Sequence, residues 1–165
     1  MRTDRAIVGI VLVEDNPDDA VFTDRVLRRC GLANGLSLCT SGEDVVERLN
    51  ARASAGDDAG VVLLDLGLPG MSGLDVLRTI RADPRHADTI VIVLTGANAF
   101  DDISAAYLAG ASAVMFKPID FGQFVERMAE LGFGWQLLGP STAASRLAVA
   151  ADARSPWGAP PPSAP

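Results

Sequence analysis

Five residues spread along the chain could act together. Glu14 and Asp15 follow the apolar run IVLV, Asp65 follows VVLL, Thr95 follows IVIVL and Lys117 follows ASAVMF. Three carboxylates brought to one place repel. At ~5 Å and an effective dielectric of ~20, each pair costs roughly 3 kcal/mol. A hard divalent cation with oxygen ligands offsets that repulsion, and Mg²⁺ takes one or two carboxylates together with water and phosphate oxygens. An aspartate beside such an ion is a covalent acceptor for phosphorus. The Thr95 hydroxyl would then bond one phosphoryl oxygen and the Lys117 ammonium would neutralise another. Lys117 also stands out by composition, because the chain has thirteen arginines and this single lysine. A compact point charge, not a planar fork, is used at this one place. Pro118 follows it; a cis bond there would turn the ammonium over the site, although trans is the default. Taken singly, each residue has an ordinary explanation as a turn, cap or solvated charge. Their joint occurrence in this order is what points to a site.

A site of this kind needs elements that deliver all five residues to one edge. Five apolar runs, AIVGIVLV (6–13), LSLC (36–39), VVLL (61–64), IVIVL (90–94) and ASAVMF (111–116), are near-continuously hydrophobic. Strands covered on both faces read this way. Helical segments lie between them. In PDDAVFTDRVLRRCG, Pro17 fits a first helical position. Asp18 and Asp19 suit the positive helix start, Arg28 and Arg29 the negative end, and Gly31 the stop. Ser41 and Ser72 read as N-caps with Asp44 and Asp75 three residues on, and Gly110 as the residue just past a helix end. Strand–helix alternation repeated five times predicts an α/β fold, a doubly wound parallel sheet with helices on both faces. In such a sheet ligands sit beyond the carboxyl ends of the strands, where the five residues stand.

The bulk properties narrow the class. A length of 165 residues suits one domain with a full core, and 48% hydrophobic residues suit a globular chain. No apolar run is long enough to cross a bilayer, and Asp4, Glu14 and Asp15 break any signal-peptide pattern. A net charge of −7 argues against nucleic acid as a partner. Cys30 and Cys39 have no metal-ligand spacing and read as reduced core thiols of a cytoplasmic protein.

The stretches IVLVEDNPDDA, VVLLDLGLPGMSGLDVLRTIR, IVIVLTGA and GASAVMFKPID resemble the receiver domain of two-component response regulators over roughly residues 6–131. The resemblance implies the flavodoxin-like strand order 2-1-3-4-5. It implies that Asp65 accepts a phosphoryl group from a histidine kinase in a Mg²⁺-dependent reaction. Asp15 would be a direct metal ligand, Glu14 would act through water, Asp65 would share the ion, and the Gly67 carbonyl would be a further contact. Thr95 and Lys117 would bind the phosphoryl group. Two departures from the family pattern matter. Val114 stands where an aromatic switch residue is frequent, and the single tyrosine, Tyr107, falls on the fourth helix instead. Gly67 and Ala97 stand where larger side chains often shield the phosphoryl group, so water is expected to reach it readily. His86, the only histidine, lies in the loop-like ADPRHAD and is expected on the surface.

Only 48 residues follow Lys117, enough for a last helix and a tail, so the resemblance extends to a stand-alone receiver over 1–138. Residues 139–165, with six of the ten prolines, read as a mostly disordered tail. Phe121, Phe124, Val125, Met128, Leu131, Trp135 and Leu138 recur at helical spacing. The end of this stripe, with Phe133, Trp135, Leu137 and Leu138, would be exposed on a monomer and predicts a homodimer. This ending, with VEDNPDDA and DLGLPGMSG, is similar to that of stand-alone regulators paired with phytochrome-type kinases. Phosphorylation is expected to draw Thr95 inward and to bias a surface made by the fourth helix, fifth strand and last helix. Other readings fit less well. A phosphatase of the haloacid dehalogenase type needs an acid two residues after its nucleophile, where this chain has Gly67. A dinucleotide-binding fold lacks its glycine-rich loop after the first strand. A fold-only scaffold would have no need of the five-residue constellation.

Overall fold

The computed structural model describes residues 9–29, 36–56, 60–96 and 100–131. Five strands, β1 (Ile10–Val13), β2 (Leu36–Cys39), β3 (Val61–Asp65), β4 (Ile90–Thr95) and β5 (Ala113–Phe116), alternate with five helices, α1 (Pro17–Arg29), α2 (Gly42–Ser54), α3 (Gly73–Ala82), α4 (Phe100–Leu108) and α5 (Phe121–Glu130). The sheet is all parallel in the order β2-β1-β3-β4-β5. The expected fold class and strand order are both found.

Both faces of the sheet are covered, which explains why the strands lack polar alternation. Ile10, Leu12, Leu63, Ile92 and Met115 pack on one side with Leu27 of α1 and Phe124 and Met128 of α5. Val11, Val13, Leu64, Val93 and Val114 pack on the other with Val45 and Leu49 of α2 and Val76, Leu77 and Ile80 of α3. Burying a side chain of this size contributes about 1.5–3 kcal/mol.

The caps follow the sequence. Ser41 Oγ accepts from the Asp44 amide, and Ser72 Oγ from the Asp75 amide, each at 3.2 Å. At α1 the cap is Asn16, whose Oδ1 accepts from the amides of Asp18 (2.9 Å) and Asp19 (3.3 Å), so the chain turns into the helix directly after the acidic pair. β5 starts two residues later than its apolar run. Gly110 adopts φ +102°, and the Ala111 amide bonds back to the Ala106 carbonyl at 3.0 Å, so these residues close α4 instead of extending the strand.

His86 corrects the expectation. It is 5% exposed, in a 3₁₀ turn (Pro84–His86) ahead of β4, with Nε2 2.9 Å from Asn50 Oδ1 of α2. The Asp83 carboxylate caps this turn through the Arg85 amide, and Pro84 fixes its start, so a stretch that reads as loop folds the imidazole inward. Nearby, Arg81 of α3 donates to the carbonyls of Gly110 (2.8 Å), Thr89 (2.9 Å) and His86 (3.3 Å) and to Ser112 Oγ (3.3 Å), tying three connections together. Among the described residues, no helix is long and apolar enough to cross a membrane.

Candidate functional site

The parallel register delivers the predicted residues to one edge. Asp65 is the last residue of β3 and Thr95 the last of β4. The Leu66 amide bonds to the Leu94 carbonyl (3.2 Å) and the Lys117 amide to the Thr95 carbonyl (2.8 Å), so the ladder continues past the strands and fixes Lys117 beside Thr95. The Glu14 amide bonds to the Cys39 carbonyl (3.0 Å) and holds the end of β1 in the same way. The Lys117–Pro118 peptide is cis.

Glu14, Asp15 and Asp65 each place a carboxylate oxygen within 4.8 Å of the others. Glu14 is 1% exposed, Asp65 is buried and Asp15 is exposed. Lys117 Nζ lies 2.8 Å from Glu14 Oε2, 2.9 Å from Asp19 Oδ2 and 3.3 Å from Asp65 Oδ2. Burial pushes the ammonium toward neutrality, but hydrogen bonds to Glu14 and Asp19 and the fields of Asp65 and Glu14 outweigh it and hold its pKa above the ordinary value. Burial raises Glu14 above the ordinary carboxylate range, against the lowering effect of its bonds to Lys117 and the Asn16 amide. Asp65 Oδ1 accepts from the Gly67 amide at 3.1 Å, which orients the carboxylate. The Thr95 hydroxyl, 3% exposed, bonds the Gly96 carbonyl at 3.3 Å. Asp65, Gly67, Thr95 and Lys117 line one open pocket of about 460 Å³, together with Asp19 and Asp102.

The donor set is oxygen only and carries more negative charge than Lys117 balances, which fits a hard divalent cation such as Mg²⁺. Asp15 is exposed and accessible to an ion. Both oxygens of Glu14 are engaged, by the Asn16 amide (3.1 Å) and Lys117, which suits contact through water.

Val114, at the position where the resemblance expects an aromatic switch, is buried in the sheet core, while Tyr107 is half-exposed on α4. Ala97, Cys30, Phe133, Trp135, Leu137 and Leu138 lie outside the described residues. Two acidic side chains at the pocket escape the sequence reading. Asp19 and Asp102 each sit in the first turn of a helix, where a carboxylate already has a role toward the helix dipole. The signal that could have singled out Asp19 is its spacing, one turn beyond Asp15 in a helix whose start Pro17 fixes.

The profile of the response regulator receiver domain matches residues 10–129. The chain is 32% identical over 130 residues to the probable methanogenesis regulatory protein FilR2 of Methanothrix harundinacea (strain 6Ac), covering 76% of this chain and 84% of that one. It is 36% identical over 116 residues to the nitrate/nitrite response regulator protein NarP of Escherichia coli (strain K12), covering 67% of this chain but only 48% of NarP. Two solved structures are similar. The bacteriophytochrome response regulator AtBRR gives a TM-score of 0.69 at 35% identity, with 82% of this chain and 99% of that one covered. The bacteriophytochrome response regulator RtBRR gives 0.68 at 32%, with 89% and 95% covered.

Proposed function

The chain belongs to the response regulator receiver family, whose members receive phosphoryl groups from histidine kinases, and on that premise we propose that Asp65 is its phosphoacceptor. One observation carries the assignment. Asp65 stands at the end of β3 with its carboxylate within 4.8 Å of those of Glu14 and Asp15 and 3.3 Å from Lys117. Oδ of Asp65 attacks the phosphorus of a phosphohistidine, the N–P bond breaks, and the imidazole leaves. Glu14, Asp15, Asp65 and the Gly67 carbonyl would hold Mg²⁺, which would neutralise the carboxylates and supply positive charge to the incoming phosphoryl group. Lys117 neutralises one phosphoryl oxygen and Thr95 bonds another once its hydroxyl turns from Gly96.

The result is a switch and not a catalyst for an external metabolite. The new charge of about −1.5 to −2 biases the position of Thr95 and the segment leading into α4. The responding surface is the face of α4, β5 and α5, where Tyr107, Leu108 and Phe116 are exposed. Val114 replaces a rotating ring there, so the response travels through packing of β5 against α4.

The similarity to AtBRR, nearly all of which is covered, supports a stand-alone receiver over 1–138, with 139–165 as a tail, and cysteines without metal or disulfide spacing support a cytoplasmic location. The same similarity also supports a phytochrome-type kinase as donor. The homodimer through Phe133, Trp135, Leu137 and Leu138 rests on the apolar ending of the sequence, which an isolated monomer would expose. Incubation with acetyl phosphate and MgCl₂ followed by intact mass spectrometry should add one phosphoryl group to the wild type and none to Asp65→Asn. An unmodified wild type, or an adduct that persists in the variant, refutes the assignment. Gel filtration with light scattering should give a dimer for the full chain and a monomer for a chain cut before Gly132; equal masses refute the dimer surface.

A further inference from the structure

Three carboxylates from three elements crowd Lys117 Nζ: Glu14 after β1 and Asp65 of β3 accept hydrogen bonds from it, and Asp19 of α1 pairs with it as an ion at 2.9 Å. The contact to Asp65 is the longest of the three, at 3.3 Å against 2.8 Å and 2.9 Å. An ammonium packed against three carboxylates cannot grip a phosphoryl oxygen fully without giving one of them up. Glu14 is a poor candidate for release, because its side chain is 1% exposed and would be left as a buried, unpaired charge. The side chain of Asp19 is 47% exposed and returns to water at little cost. Its backbone amide stays fixed on Asn16 Oδ1 at 3.3 Å while the carboxylate swings.

We propose that Asp19 is a positioning residue, a latch that ties Lys117 to the start of α1 in the unmodified protein and releases it to the phosphoryl group on Asp65. This rests on Asp65 being the phosphoacceptor. Two consequences follow from one contact. The latch restrains phosphorylation, because the phosphoryl group must compete with Asp19 for Lys117. It also makes the first turn of α1 respond to the modification, independently of α4.

The single lysine makes the test direct, since ¹⁵N-lysine labelling of the full chain reports one side-chain ammonium. The variants are Asp19→Ala, Asp19→Glu and, as a charge control, Asp102→Asn. Asp102 lines the same pocket, but the ion pairs of Lys117 among the described residues run to Glu14, Asp19 and Asp65. Without Mg²⁺, exchange of the ammonium protons with water should accelerate several-fold in Asp19→Ala, recover in Asp19→Glu and stay unchanged in Asp102→Asn. Carboxylates sharing one nitrogen stand within about 6 Å of each other, and Asp19 is well solvated, so with Mg²⁺ the initial rate of phosphorylation by acetyl phosphate should rise about three- to tenfold in Asp19→Ala. An ammonium signal indifferent to Asp19→Ala overturns the proposal. So do equal rate gains in Asp19→Ala and Asp102→Asn that vanish together in high salt, because net charge alone then acts. If the ammonium behaves as expected but the wild type takes no phosphoryl group, the pairing stands and the phosphoacceptor assignment fails.

Discussion

Neutralising Asp65 should make the metal-free protein more stable. In Asp65→Asn two repulsions disappear, toward Glu14 and Asp15, whose oxygens lie within 4.8 Å, and one attraction, toward Lys117 at 3.3 Å. At an effective dielectric of ~20, each repulsion is worth about 3.5 kcal/mol and the attraction about 5 kcal/mol. The difference favours the variant by about 2 kcal/mol, and by about 1 kcal/mol once solvent screening of the exposed Asp15 is allowed for. The hydrogen bond from the Gly67 amide survives, because the Asn carbonyl oxygen can accept it as Asp65 Oδ1 does at 3.1 Å. Lys117 keeps Glu14 and Asp19 as partners. Urea unfolding at pH 7 in EDTA and low salt, followed by circular dichroism, should show a higher midpoint for Asp65→Asn with an unchanged slope. Saturating Mg²⁺ should narrow or reverse the gap, since an ion that binds the native site stabilises the wild type by about 2.7 kcal/mol at a hundred times its Kd and the variant by less. If the variant is equally or less stable in EDTA, the carboxylates are not in mutual repulsion and the case for a cation at this edge loses its electrostatic basis.

Three further perturbations test the frame around the site. In Gly73→Ala the new Cβ would lie 2.5 Å from the Asp65 carbonyl oxygen and 2.7 Å from Leu66 Cα, backbone atoms that cannot swing aside. The expected cost is about 1–3 kcal/mol in urea unfolding, with a slower phosphorylation rate because the end of β3 moves. Arg81→Ala removes four hydrogen bonds from a part-buried guanidinium and should cost about 2 kcal/mol, and Arg81→Lys should recover only part of that because one ammonium cannot reach all four acceptors. The Arg85 side chain holds the Asp83 carboxyl down at about 2, from an ordinary 3.8. A depressed carboxylate stabilises the fold above its unfolded pKa, and that contribution fades as pH falls from about 4 through 2. Carboxyl-carbon NMR should show Asp83 titrating low in the wild type and higher in Arg85→Ala, though still below its ordinary value because the amide of residue 85 goes on donating to it; an unchanged midpoint refutes the pairing.

Much of this was legible in the sequence for one physical reason. A strand buried on both faces has no polar side chains to hide its ends, so the first charged or hydroxyl residue after each run marks the sheet edge. Glu14, Asp65, Thr95 and Lys117 are such residues, with Asp15 directly after Glu14, and parallel pairing turns four separate strand ends into one rim. Helix starts were legible at Ser41 and Ser72 because the capping bond is local. His86 was not, because burial of a polar ring depends on a distant acceptor, Asn50 on α2, that no local pattern announces. The late start of β5 was missed because Ala111 suits a strand as well as it suits the close of α4.

Asp19 shows a different limit. A carboxylate in the first turn of a helix is already explained by the dipole, and that sufficient explanation conceals a second partner reached only through the fold. The identity of that partner also accounts for the lone lysine. A guanidinium presents its donors in one plane and matches one carboxylate with two parallel bonds. Glu14, Asp19 and Asp65 come from the end of β1, from α1 and from β3, and all three face the same nitrogen within 3.3 Å. Only a donor with three hydrogens spread around a single nitrogen meets that demand, and only a compact one can exchange a carboxylate for a phosphoryl oxygen by shifting a single contact. The chain's otherwise exclusive use of arginine yields to lysine where the charge must be shared among several oxygens and then passed between them.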